Sequence, residues 1–180
     1  MNVKSIPAVA AVAILFLASG CGTIAGETIG FFQGGKGTFA FLSPKYADQS
    51  LLAAYTNFRI GAMNDETGLV PAGFFDRASV QMQADLLDKG LGNDAGKTAV
   101  IEGDVVHYET EGSMAMILGP MEEIVVKSRL VDEETGQVLA RARCVGRIDA
   151  RVNKGADKVA EGLGKAFASW IEANHPVSAE

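Results

Sequence analysis

The sequence predicts an α+β domain: an antiparallel or mixed sheet of four to five strands with two main helices packed on one face. Three observations lead there. Ala156, Val159, Ala160, Leu163, Phe167, Trp170 and Ile171 fall three to four apart near the C-terminus, the spacing of a buried helical stripe. Phe75, Ala78, Met82 and Leu86 repeat that spacing earlier in the chain. Two alternating segments, 123–131 and 138–148, flank Asp132-Glu133-Glu134-Thr135-Gly136-Gln137, which reads as a hairpin turn with a glycine available for positive φ. With 180 residues and 48% of them hydrophobic, the chain is sized for one core.

Taken in order, residues 38–42 form a strand with Phe39 and Phe41 on one face, and Pro44 ends it. Residues 53–63 form a second strand around Tyr55, Phe58 and Ile60. Asn64-Asp65-Glu66-Thr67-Gly68 is a turn by composition. Pro71 opens a helix to about Lys89, since proline's missing N–H is unpaired in a first turn anyway, and Gly90 or Gly92 closes it. Residues 98–108 are a strand with Ala99, Ile101, Gly103 and Val105 on one face and Val100, Glu102, Asp104 and Val106 on the other. A loop over 111–121 follows. In the hairpin, Ile124, Val126 and Leu130 share a face of the first strand. Arg141, Arg143 and Arg147 share one face of the second, opposite Ala140, Ala142, Cys144 and Ile148. Asn153 caps the last helix, which runs to about Asn174 and is stopped by Pro176. Gly155, Gly162 and Gly164 weaken that helix and imply a close approach to the sheet.

The first twenty-one residues carry an address. Lys4 precedes an apolar run of about twelve residues from Ile6 to Leu17, then Ala18-Ser19-Gly20-Cys21. A spanning helix needs roughly twenty apolar residues, so the run reads as a secretory signal. Its small residues before a cysteine resemble the lipobox of bacterial lipoproteins. That resemblance implies lipidation of Cys21, cleavage before it, and acylation of the new amine with palmitate the expected chain. The organisation is then a signal peptide at 1–20, a glycine-rich tether at 21–37, one domain at 38–176 and a tail at 177–180. An ordinary signal cut nearby and an uncleaved anchor are the alternatives; Gly22, Gly26, Gly30 and Gly34 recur at the small-xxx-small spacing of packed membrane helices. Gly22 after the cysteine, rather than aspartate, implies sorting to the outer membrane, facing the periplasm.

Chemistry is sparse downstream. A net charge of −6, near −7 once Lys4 is removed, argues against a nucleic-acid surface and against polybasic adhesion to anionic lipid. The chain has two cysteines; with Cys21 lipidated, Cys144 has no disulfide partner and reads as a small buried hydrophobe. His107 reads as a sheet residue and His175 lies near the C-terminal fray; neither has Cys or His partners at ligand spacing, so no metal is expected. Glu102 and Asp104 could serve acid–base chemistry but on a strand read as solvated charges. Glu122-Glu123 and Glu133-Glu134 read as loop residues. The run from Gly30 to Gly37 approaches a phosphate-binding loop but has Gly37 where serine or threonine should follow Lys36. No enzyme activity and no cofactor are expected. The one suspicious segment is apolar: Met114, Met116, Ile117, Leu118 and Met121 form either a contact surface or a flap packed over the sheet.

Leu86-Leu87-Asp88-Lys89-Gly90, Val100-Ile101-Glu102-Gly103-Asp104-Val105 and Asp132-Glu133-Glu134-Thr135-Gly136-Gln137-Val138-Leu139, followed by an amphipathic helix, resemble the bacterial lipoprotein family known as domain of unknown function 4410. The resemblance spans residues 55–171. That family is in turn similar to domains of curli-secretion and peptidoglycan-synthase-activator lipoproteins, which implies an assembly or partner-binding module rather than an enzyme. The expected function is a non-catalytic, membrane-anchored envelope lipoprotein with a protein partner. The alternative is a small-molecule or lipid carrier with the 114–121 loop as lid.

Overall fold

The computed structural model describes residues 35–42, 52–92, 96–109, 121–149 and 155–176. Five strands and two helices run β1 (Lys36–Phe41), β2 (Tyr55–Asp65), α1 (Phe74–Leu87), β3 (Lys97–Glu109), β4 (Met121–Asp132), β5 (Val138–Asp149) and α2 (Ala156–Asn174). The strands form one sheet in the order β1-β5-β4-β3-β2. Only β2 and β3 pair in parallel. They are joined through α1, the crossover that a parallel pair requires. The α+β expectation with a mixed sheet and two helices holds.

Both helices lie on one sheet face. Ala99, Ile101, Val105, Ile124, Val126, Leu130, Ala142 and Cys144 point into that layer and meet Leu163, Phe167 and Ile171 of α2 in one buried core. The strand parities match those read from the sequence. Register shifts interrupt them at Tyr55/Asn57 and Ile60/Met63 in β2 and at Leu130/Val131 in β4, and in β3 where Val105 pairs with Val126 but His107 with Val125; there the extra residue returns Tyr108 to the helix side, edge-on to Phe74 at 5.7 Å.

The stripe of α1 is Phe74, Ala78, Met82 and Leu86. It therefore starts on Phe74 rather than on Phe75, which is half-buried beside it with ring centroids 5.4 Å apart. Pro71 lies ahead of the helix, where its carbonyl accepts the Phe74 N–H at 3.2 Å.

Glycine placement explains how α2 sits so low on the sheet. A Cβ on Gly37 would come within 2.3 Å of the Gly162 carbonyl, one on Gly146 within 2.5 Å of the Leu163 nitrogen, and one on Gly162 within 2.6 Å of the Lys36 carbonyl. Backbone meets backbone across this seam. Lys36 and Gly37, expected in the tether, are paired with Arg147 and Gly146 as the start of β1. The domain thus begins ahead of residue 38, because glycines that look like linker composition are packing glycines here.

Candidate functional site

The hairpin that builds the site is locked by one carboxylate. Asp132 Oδ1 accepts the N–H groups of Glu134 (3.0 Å) and Thr135 (2.7 Å) and the Thr135 hydroxyl (2.8 Å). Its Oδ2 accepts the Tyr55 hydroxyl and lies 3.7 Å from Lys97 Nζ. Gly136, at φ 72°, completes the turn as its N–H donates to the Asp132 carbonyl at 2.9 Å. The Tyr55 hydroxyl, then Thr135, hold the Asp132 carboxyl well below the usual carboxylate range. Burial and the bond to Asp132 push the Tyr55 phenol up to about 12. The Asp-x-x-Thr-Gly pattern is therefore a structural clamp that ties β2 to the hairpin.

This clamp sets the β4–β5 register, and the register sets the face turned away from the helices. On it Arg143 lies opposite Lys127 and Arg141 opposite Arg129. Lys36 lies opposite Arg147. Like charges directly opposite on a sheet are destabilising by roughly 0.2–1 kcal/mol, and this face carries three such pairs. Those six residues are more than a third of the chain's 16 Lys and Arg, in a protein of net charge −6. Arg129 bonds Glu102 on β3 at 3.0 Å. Among the described residues no ion pair holds Lys127, Arg141, Arg143 or Arg147, each of which lies opposite another cation, and all four are exposed. Between them lies an apolar floor of buried Val125 and half-buried Val145 and Thr38, which pair across the strands. Acidic groups gather on the far side: Glu102, Asp104 and Glu109 on β3, with Glu123 of β4 opposite Arg147. No described helix or strand covers this face.

The other sequence-predicted groups fall elsewhere. Cys21, Met114, Met116, Ile117 and Leu118 lie outside the described residues, as does Asn153; Met121 opens β4 rather than ending a loop. Cys144 is fully buried and its thiol is pushed up to about 12 by that burial. Asp104 accepts Asn64 Nδ2 at 3.3 Å, so Glu102 and Asp104 serve cross-strand pairs. His107 lies on the strand, 3.6 Å from Glu109. His175 is not frayed: it is buried, edge-on to Phe58, with Nε2 3.1 Å from the Tyr55 carbonyl, and burial pulls its pKa down. Glu122 and Glu123 belong to β4, and buried Glu122 Oε2 accepts the Gly155 N–H at 2.9 Å ahead of α2, where a carboxylate also suits the helix dipole. The interlayer that a carrier would hollow out is filled by fully buried Leu163, Phe167, Ile124 and Val126. Outside the helices an open groove of about 360 Å³ runs past Asp76, Val80 and Glu161, bridged by the Arg77–Asp157 pair at 2.9 Å.

Sequence reasoning grouped Arg141, Arg143 and Arg147 but missed Lys127 and Arg129. Their alternation was visible; their position opposite the arginines follows only from the turn that sets the register.

No family model matches the chain, so its likeness to domain of unknown function 4410 rests on the short motifs. No curated protein matches it. Solved structures do. The chain is similar to the PelC dodecamer from Paraburkholderia phytofirmans at 17% identity over 74% of this chain and 96% of that one, with a TM-score of 0.46. It is similar to a minor lipoprotein from Acinetobacter baumannii at 12% identity over 67% and 92%, with a TM-score of 0.38. A Xanthomonas campestris protein of the family DUF330 aligns at 13% identity over 72% and 84%, with a TM-score of 0.40. Lipoproteins are thus among its structural neighbours.

Proposed function

We propose that this protein is a lipoprotein of the bacterial envelope, of the kind represented by domain of unknown function 4410, anchored through Cys21 in the outer membrane and facing the periplasm. It is non-catalytic and works by surface contact with a partner. The observation that carries this reading is the asymmetry of the sheet. One face is filled by α1 and α2, while the other presents exposed Lys127, Arg141, Arg143 and Arg147 on an apolar floor. Stability alone disfavours three like-charged cross-strand pairs, so a surface that keeps them is built to meet something else. The signal ending in Ala18-Ser19-Gly20-Cys21 supports the anchored location.

The test is uptake of labelled palmitate by cells producing the full chain. Label should enter the wild-type protein and be lost in Cys21→Ala, with the variant released from membranes or left unprocessed. A wild-type protein that stays in the membrane without taking up label would overturn the lipid anchor.

A further inference from the structure

We propose that the cationic half of the open sheet face docks on the anionic phosphate headgroups of the membrane to which the chain is anchored. The proposal rests on the anchoring reading above and names what the open face meets. Three features favour a lipid surface over an acidic protein. First is geometry. β1 enters the sheet at Lys36, on the edge strand of the cationic half, with Lys36 opposite Arg147 and Ala40 opposite Arg143. About fifteen residues separate Cys21 from that edge, a chain length that reaches at most about 50 Å. An acylated Cys21 therefore keeps headgroups close to this face at high effective concentration, which no other anion shares.

Second is shape. The cations stand on neighbouring strands of one sheet, β1, β5 and β4, with side chains two residues apart along β5 at Arg141 and Arg143. Strands are about 4.8 Å apart and a two-residue step is about 6.8 Å. This is a spread array that suits a plane of phosphates, each guanidinium matching phosphate oxygens bidentately. Third is charge segregation. The net charge of −6 averages over two layers. The helices, roughly 10 Å further from a membrane lying against the open face, carry Asp76, Asp85, Asp157, Glu161 and Glu172 against Arg77, Lys158 and Lys165, a net charge of only −2 (three cations minus five anions). That separation is about a Debye length at physiological salt. The small repulsion is screened while the cations of the open face are in contact. On the face itself Glu102 is paired with Arg129, Asp104 lies opposite Lys127 and Glu123 opposite Arg147, which leaves Arg141 and Arg143 with no acidic neighbour directly across the strands.

The experiment uses the acylated full chain reconstituted in vesicles. A fluorophore is placed at Ala40→Cys on the open face or at Val80→Cys on the helical face; Cys144 is fully buried and is spared. Headgroup-bound quencher reports proximity. In phosphatidylcholine vesicles containing phosphatidylglycerol, the Ala40 label should be quenched and the Val80 label should not. Pure phosphatidylcholine or high salt should remove the difference. Arg143→Gln should lower the membrane-facing population about five-fold, the value of one surface cation, and Lys127→Glu with Arg143→Glu should abolish it, with circular dichroism confirming that each variant is folded. Equal quenching of the two labels, indifference to phosphatidylglycerol, or indifference to Arg143→Gln overturns the proposal. Shielding of the Ala40 label by soluble polyglutamate but not by anionic vesicles also overturns it, in favour of an acidic protein partner. Intact mass reports acylation of Cys21 separately. If acyl groups are absent the anchoring reading fails, and the face is still tested with a histidine tag replacing residues 1–21, so that no second thiol takes the label, and nickel-chelating lipid holding the chain.

Discussion

The two faces of one sheet obey different rules in this protein. On the face toward the helices, successive positions are chosen for volume. Gly37, Gly146 and Gly162 bring backbones together, and Phe167, Leu163 and Ile124 fill what is left. On the open face the same strands are chosen for charge, against local stability, with cation opposite cation at Lys127–Arg143 and Arg129–Arg141. Residues one apart in sequence therefore answer to different selections: Cys144 is sealed while its neighbour Arg143 is exposed. The closed face is where the fold is held. The open face is where it has stability to spare.

The largest expected effect tests the closed face. Phe167 is fully buried at the centre of α2 against the sheet. Phe167→Ala should cost about 3–5 kcal/mol in equilibrium urea unfolding, the range for aromatic truncation in a packed core. An unchanged unfolding midpoint would mean that α2 does not close this face, and the contrast between the faces would fail.

A smaller effect tests the clamp that registers one face against the other. Tyr55→Phe removes the hydroxyl bonded to Asp132 and should cost roughly 1.5–3 kcal/mol at pH 7, as a bond to a charged group does. The pH dependence has a defined sign. The carboxyl of Asp132 titrates lower in the folded state than in the unfolded chain, where it lies near 3.9. Its contribution is therefore present above about pH 4 and lost as pH falls below it. Tyr55→Phe should narrow that loss, so the melting temperatures of variant and wild type should converge between pH 6 and pH 3. Asp65, whose carboxyl burial pushes up and bonds from Thr67 and Val70 bring lower overall, titrates in both proteins and cancels in the difference. A gap that stays constant with pH would remove Tyr55 as the main cause of the Asp132 shift.

How much was legible in the sequence follows the same division. The strand parities of β3, β4 and β5 and the stripe of α2 are period-two and period-3.6 patterns, and they were readable because one face is apolar. The turn at Asp132–Gln137 was readable from Gly136. What failed depended on contacts between distant segments. Gly35 and Gly37 look like tether until α2 brings Gly162 against them. His175 looks like a fray until the Tyr55 carbonyl reaches it. Glu122 looks like loop until Gly155 needs an acceptor. The candidate face lay between these cases. Arg141, Arg143 and Arg147 share a parity in any strand, but opposing Lys127 and Arg129 requires the register, and exposure requires both helices to choose the other side.

The smallest effect is the sharpest test of the contrast, because its sign is opposite to the usual one. Arg143 is exposed, lies between Ala40 and Lys127 across the strands, and has no ion pair among the described residues. Most substitutions lower stability. Arg143→Gln keeps a long polar side chain over the apolar floor while removing one of two opposed charges. It should leave stability unchanged or raise it by about 0.2–1 kcal/mol at low salt, the scale of a like-charge cross-strand pair. That gain should shrink as salt screens the pair. Lys127→Gln should gain less, because Lys127 also lies opposite Asp104 on β3 and loses that attraction, and the double substitution should add little beyond Arg143→Gln, because relief of one repulsion can be collected only once. The measurement is a double-mutant cycle by urea unfolding at low and high ionic strength. If Arg143→Gln destabilises the isolated protein by more than 1 kcal/mol in both conditions, Arg143 is part of what holds the fold, and the open face is no more free for a partner than the closed one.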